Sequence, residues 1–600
     1  MDMRVEPIGI DSGDKLGDIE HHFRVLAGPG AGKTHWLVNH IKEVLHTSER
    51  LDKSRKVACI TYTNTAVQII RDRLGSSSNQ VEVSTIHSFL YKHVIKPYIH
   101  FIADDYGFKV SKLDGHDEFS VNRSKCISWL KEHPNSSLIN SNIDNKQLHG
   151  LYVEGLVEWL SSITCSFDSS KKLVYTTKRI KPVFKINKRS LKALQNYPDL
   201  FNDEPINFKR IYWSFGELHH EDVLFFSFQI IKNYPFVLDV LRAKFPYFFI
   251  DEFQDSNPIQ VELLRQIGER ETIVGVIGDK AQSIFQFQGA NPEQFSDFHL
   301  EGIQDYKIDN NRRSTQEVIN LLNHIRRDFE QRGQEGFNGS KPVLYIGDRL
   351  DILHKIKSEQ SGEGVITLSR KNITANALRK DVEGTELDDE VFDKLKEFDN
   401  VKRYRLVIAC VKAVELCRAN KIKEALNEIK KYFSRSEQSK RYALDLLFLL
   451  NSRYSEYCDA PLINFYNILR MDSGIDKLPK ISSGRPKDFY DSTNYKSLAL
   501  CVNIVEDTSN NITIHKSKGA EFENVLLVLD DEKKLNFITT PDLKRLEEHR
   551  LQYVAVSRVI RNLFITVPEL SSAKAELIEN LGLVDIIRLD DSLTHSTALN

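Results

Sequence analysis

The sequence predicts an α/β protein built on parallel sheets, and three observations carry that prediction. Short apolar runs at residues 23–27, 57–61, 81–84, 245–250 and 273–277 have the length and composition of buried strands. Amphipathic stretches such as 34–47 and 66–74 stand between them. Each run ends in a polar cluster, and the carboxyl edge of a parallel sheet is where ligands bind.

The first cluster is Ala27-Gly28-Pro29-Gly30-Ala31-Gly32-Lys33-Thr34. Its glycines allow a tight turn that offers backbone N–H groups to phosphate oxygens, and Lys33 adds a charge for the β- and γ-phosphates. Thr34 supplies a hydroxyl suited to Mg²⁺, and the helix that follows points its positive end at the same place. The cofactors expected are therefore ATP and Mg²⁺. Ala27 stands where the usual pattern begins with glycine.

Composition narrows the class. Six hundred residues suffice for about three to five domains. The balance of 82 Lys+Arg against 84 Asp+Glu leaves any nucleic-acid binding to local basic surfaces. Seven scattered cysteines without a C-x-x-C pair indicate neither a zinc site nor a disulfide framework. No stretch approaches the roughly 20 apolar residues of a membrane span, and the first residues lack a signal-peptide core, so a cytoplasmic chain without a membrane partner is expected.

The second and third runs end in Thr61-Tyr62-Thr63-Asn64 and Thr85-Ile86-His87-Ser88. Regularity then fails over 91–214, which is richer in Lys, Asn and Ser and reads as an insertion with few clean strands. Within it, residues 171–190 hold eight Lys or Arg and no acidic residue, with Tyr175 and Phe184 interleaved. Such a stretch suits phosphate contacts with an occasional base on a ring, and Lys178, Arg179, Lys181 and Lys185 are its candidate DNA contacts; a solvated surface is the alternative. The run at 245–250 ends in Asp251-Glu252-Phe253-Gln254-Asp255. Paired carboxylates at a buried strand end are costly unless a cation or a reaction needs them. Asp251 is suited to Mg²⁺, and Glu252 to take a proton from the water attacking the γ-phosphate. After 273–277, the amide of Gln282 is placed to sense that phosphate.

In this order and spacing, these clusters resemble the motifs of UvrD/Rep-type superfamily 1 DNA helicases. The likeness continues through Asn311-Arg312-Arg313-Ser314-Thr315, Ile514-His515-Lys516-Ser517-Lys518-Gly519-Ala520-Glu521-Phe522 and residues 548–558, ending in Arg558. The resemblance implies two RecA-like P-loop domains, each interrupted by a largely helical insertion: 1–90 with 215–305, holding 91–214, and 306–374 with 501–600, holding 375–500. It places strands of the second sheet at 343–346, 365–369, 512–514, 525–529 and 563–567. An apolar stripe over 406–433 reads as helix packing in the second insertion.

By the same resemblance Arg313 and Arg558 reach across to the γ-phosphate, completing a catalytic set with Lys33, Asp251, Glu252 and Gln282. Arg312 and Glu521 join the nucleotide, and Thr61, Thr63, Asn64, Thr85, His87, Phe287 and His515 line a DNA track. Closure and opening of the two domains would then walk the protein 3′ to 5′ along single-stranded or tailed duplex DNA. A second reading from compact UvrD-like antiphage proteins is a DNA- or partner-gated ATPase beside a nuclease subunit. An inactive scaffold is disfavoured because the whole catalytic set is present. Departures from the pattern are local: Phe287-Gln288-Gly289 replaces a Trp-Arg-Gly, Arg312 replaces an aromatic residue, and no glutamine precedes Gln68 to read adenine. GTP use within about tenfold of ATP is therefore expected.

Overall fold

The computed structural model describes residues 6–117, 119–121, 123–132, 156–178, 205–286, 289–360, 364–382, 387–432, 437–472, 478–504 and 509–589. Its strands, in chain order, are β1 (Ile8–Gly9), β2 (Phe23–Ala27), β3 (Val57–Thr61), β4 (Val81–Thr85), β5 (Ile163–Phe167), β6 (Leu173–Thr177), β7 (Tyr247–Ile250) and β8 (Ile273–Gly278). They continue with β9 (Gln304–Ile308), β10 (Val343–Ile346), β11 (Val365–Ser369), β12 (Asn511–Thr513), β13 (Phe522–Val528), β14 (Val559–Val567) and β15 (Asp585–Arg588).

Two large sheets result, both parallel throughout. The first has the order β1-β9-β2-β8-β7-β3-β4 and the second β12-β11-β13-β14-β10-β15. Their apolar runs are continuous because both faces are covered. In the first sheet Ala58, Ile60, Phe248, Ile250, Val274 and Val276 enter one core, while Val57, Cys59, Tyr247, Phe249, Ile273 and Ile277 enter the other. The second sheet divides likewise, with Leu527 and Ile565 on one side and Leu526 and Phe564 on the other.

One expectation needs correction, and two gain detail. Strand β9 pairs with β2 and closes the first sheet, so that sheet runs past residue 305 and the second α/β unit begins beyond Ile308; the Tyr306 side chain packs in the first core. The first insertion contains an antiparallel hairpin, β5 with β6, where few clean strands were expected. It is tied down by the start of the helix His220–Asn233: Glu221 accepts from the Thr164 hydroxyl at 3.0 Å, and Asp222 from the Tyr175 hydroxyl at 2.6 Å. The stripe at 406–433 is two helices, Val401–Arg418 and Ile422–Tyr432, separated by Asn420 at φ 61°, and residue 433 lies outside the described residues. Left-handed backbone ends a helix, and asparagine tolerates it.

Among the described residues no single helix is long and apolar enough to cross a membrane. Among the described residues no disulfide joins the cysteines.

Candidate functional site: the phosphate loop and the seam between the sheets

Because every strand of the first sheet runs the same way, its carboxyl edge gathers the residues just beyond each strand end. From one side of the sheet to the other, that edge carries Asp11 after β1, Arg312 after β9, the phosphate loop after β2, Asp279 and Gln282 after β8, Asp251 and Glu252 after β7, Thr61 and Tyr62 at the end of β3, and Thr85 closing β4.

The loop has its expected form. Gly30 and Gly32 take φ of 71° and 79°, and Gly32 caps the helix Lys33–Thr47. A Cβ on Gly30 would lie 2.2 Å from Asn311 Oδ1, so only glycine fits under the segment that crosses it. Lys33 Nζ lies 3.4 Å from the Ala27 carbonyl oxygen, which holds the ammonium over the loop. Thr34 donates to Asp251 Oδ2 at 3.2 Å. A hydroxyl and a carboxylate at a helix N-terminus are the hard oxygen donors Mg²⁺ takes from protein beside phosphates, so the residues present fit that ion.

Glu252 sits in left-handed backbone at φ 55°, an unfavourable conformation for a non-glycine residue. Gln254 donates to its carboxylate. Burial pushes Asp251 up to about 6, with the charge of Glu252 adding to it. Burial acts the same way on Glu252, but the charges of Lys33, Lys518 and Arg558 and the Gln254 hydrogen bond outweigh it and hold the carboxyl at about 2. Glu252 is therefore ionised and able to accept a proton.

The second sheet meets this edge with buried cations. Arg558 donates to Gln282 Oε1 at 2.8 Å, while Gln282 Nε2 donates to Asp279 Oδ2 at 2.8 Å. Asp279 is held in turn by the buried Arg326 at 2.7 Å. Lys518 pairs with Asp255 and donates to the Gln282 carbonyl at 2.9 Å. Arg550 Nε donates to the Ser283 carbonyl at 2.8 Å. Ala281 and Ile284, on the loop after β8, are buried in the second sheet's core. Burial, together with the charge of Arg313, brings the Arg558 guanidinium down to about 9, still a cation at neutral pH.

Lys33, Thr34, Asp251, Glu252, Gln282 and Arg558 thus converge. Arg313 and Glu521 pair with each other at 2.5 Å, and Arg313 also donates to the Ser557 carbonyl at 2.6 Å. Arg312 turns the other way, to Asp11 at 2.6 Å.

The expected DNA residues divide. Thr61 is buried, its hydroxyl without a partner among the described residues, in a pocket shared with Asp251 and Glu252. Thr63 and Thr85 accept from Ala66 N and Ser88 N as helix caps, and Asn64 is exposed beside the first. His87 packs against His220 and His116, and burial first, then those neighbours, push it down to about 3. His515 lies 6.0 Å from the ring of Phe285, which stacks on Tyr62 at 4.8 Å. Phe287, Arg179, Lys181 and Lys185 lie outside the described residues, and Lys178 is exposed at the end of the hairpin.

Sequence reasoning passed over Asp255, Lys518 and Gln254, although all three stand in the motifs it used. Asp279, in the cluster that holds Gln282, was passed over in the same way, and there was no signal for Asp11 or Arg326.

Comparison with known families agrees with this geometry. Residues 15–301 match the UvrD/REP helicase N-terminal domain, and residues 305–569 the UvrD-like helicase C-terminal domain. The chain belongs to the UvrD/REP helicase family. It is similar to the ATP-dependent DNA helicase PcrA of Staphylococcus aureus (strain Mu50 / ATCC 700699), 22% identical over 657 residues, which covers 94% of this chain and 84% of that one. It is also similar to the Gabija protein GajB of Bacillus cereus (strain HuB5-5), 26% identical over 337 residues. That match covers 50% of this chain and 46% of GajB.

Proposed function

We propose that this UvrD-family chain hydrolyses ATP and couples hydrolysis to 3′–5′ movement along single-stranded DNA. The observation that carries the reading is the convergence of Arg558, from the second sheet, on Gln282, beside Asp251, Glu252 and Lys33 of the first. Arginine delivered across a seam stabilises charge on a transferring phosphoryl group, and the loss of that group lets the domains part. Lys33 and the loop N–H groups bind the phosphates, Gln282 orients the attacking water, and Glu252 accepts its proton. Thr34 and Asp251 would hold Mg²⁺, which neutralises phosphate charge when bound. Two of the three cations that keep Glu252 ionised, Lys33 and Arg558, are those a γ-phosphate would engage, so binding raises the basicity of Glu252 where the proton is taken. On the DNA side the stacked Tyr62 and Phe285, with Lys518 4.9 Å from the Phe285 ring centre, link the seam to a surface suited to bases.

The similarity to PcrA over nearly the whole chain supports the motor reading. The higher identity to GajB over half of it supports the second reading, a gated ATPase beside a nuclease without robust unwinding. Displacement of a labelled strand from a 3′-tailed duplex, with ATP turnover measured in parallel, tests the proposal. Unwinding that needs Glu252 is expected; DNA-stimulated turnover without displacement favours the second reading, and no turnover defeats both.

A further inference from the structure

The amide of Gln282 accepts at one end and donates at the other, so its orientation decides what it can do. Its neighbours make the choice. A carboxylate only accepts and a guanidinium only donates. Gln282, standing between Asp279 and Arg558, must therefore turn Nε2 to the first and Oε1 to the second, each at 2.8 Å. Under the ATPase reading this order matters, because Oε1 is the end that accepts from the attacking water beside Glu252. Arg558 cannot hold it there during turnover, since an arginine engaged on a γ-phosphate has left the amide. The choice then falls to Asp279.

Asp279 is fully buried, and a buried carboxylate needs a cation beside it. Its Oδ1 accepts from the Ala281 N–H at 3.1 Å and lies 2.7 Å from Nη1 of the equally buried Arg326. Arg326 is itself closely set. Its N–H donates to the Leu322 carbonyl at 2.9 Å, ending the helix Gln316–Ile325. Its guanidinium lies over the Phe329 ring, 4.6 Å from the centre, and its Nε donates to Asp328 at 3.2 Å, a carboxylate that Lys280 also meets at 3.2 Å. Phe329 in turn covers the phosphate loop so closely that a Cβ on Gly28 would lie 2.9 Å from it. One short segment, 326–329, thus touches both the phosphate loop and the loop that carries Gln282. We propose that Arg326 is a positioning residue for hydrolysis: by holding the buried Asp279 it fixes which end of Gln282 faces the reaction, and it ties that orientation to the closed seam. The inference rests on the ATPase reading, and Arg326 acts through Asp279 and not on the phosphates.

Steady-state ATP turnover of the full chain with saturating single-stranded DNA tests this, with kcat, KM and melting temperature measured for each variant. Arg326→Met strands a buried carboxylate and should lower the melting temperature; assayed well below it, kcat should fall about tenfold to a hundredfold with KM for ATP unchanged. Adding Asp279→Asn removes both charges and should restore the melting temperature. It should not restore kcat, because an amide at position 279 donates as well as accepts and no longer dictates the end of Gln282. In a Gln282→Ala background neither variant should cost anything further, since no amide is left to orient. Parental kcat in the charge-free pair overturns the proposal and leaves Arg326 a structural cation, as does a loss of equal size with and without Gln282. Should both variants fail to fold, Arg326→Lys keeps the charge without the planar reach, and a loss of about threefold that vanishes with Gln282→Ala is expected. No loss there, or one indifferent to Gln282, overturns the proposal equally. Lys33→Ala separates the two readings: if turnover survives it, hydrolysis does not occur at this loop, and the ATPase reading itself falls.

Discussion

The first sheet presents the carboxyl ends of its strands to the seam, and the second presents the amino ends of two of its own. Lys33, Asp251, Glu252 and Gln282 all follow strands of the first sheet, whereas Glu521 and Arg558 immediately precede β13 and β14, whose first residues Phe522 and Val559 are register partners. Two sheets of the same parallel build therefore do different work. At a carboxyl edge, loops and a helix N-terminus make a binding crevice. An amino edge has no such crevice, but it places rigidly held side chains against a partner, which is what a γ-phosphate clamp needs.

The most severe way to break that division is to remove what the second sheet delivers. Arg558→Ala should lower ATP turnover by about 10³-fold or more with nucleotide affinity little changed, as for arginines supplied across an interface; a loss below tenfold in a DNA-stimulated ATPase assay would make the second sheet only a wall. On the first sheet, Glu252→Gln should keep nucleotide binding and lower turnover about 10²–10⁴-fold. Turnover within threefold of the parent would remove Glu252 from the role of base.

A stability measurement sharpens the contrast in another way, because the first sheet carries the burden of burying carboxylates. Asp251 is raised from its ordinary value of 3.8 to about 6. A carboxyl whose folded value is raised favours the fold while protonated, so this contribution is complete below about pH 4 and is lost as pH rises through 6. Asp251→Asn imitates the protonated acid. Without nucleotide its stability relative to the parent should rise between pH 4.5 and pH 7.5, by about 1–3 kcal/mol. Equal melting at both values would mean that Asp251 is not strained by its burial.

The smallest effect concerns a region that belongs to neither sheet. Neutralising Lys178, Arg179, Lys181 and Lys185 together should weaken single-stranded DNA binding and flatten its salt dependence by about 0.7 in slope for each phosphate no longer neutralised by the protein. An unchanged slope makes the basic stretch a solvated face and leaves DNA binding to the seam.

What sequence determines here is what depends on neighbours along the chain. Short continuous apolar runs suit strands covered on both faces, which located β2, β3 and β7 within a residue or two, and Gly30, Gly32, Lys33 and Thr34 between a strand and a helix carry the pattern of a phosphate loop. The paired Asp251 and Glu252 announced chemistry because two adjacent carboxylates are too costly to bury without one. The tertiary structure decided what depends on distant partners. Strand β9 joined the first sheet because its edge against β2 was open to Gln304–Ile308, which no local pattern shows. Thr61 shares a pocket with Asp251 and Glu252, which lie far along the chain. Asp11, ordinary in sequence, is paired with Arg312 from far along the chain, for charge pairing is fixed by distance in space and carries no periodicity that sequence could display.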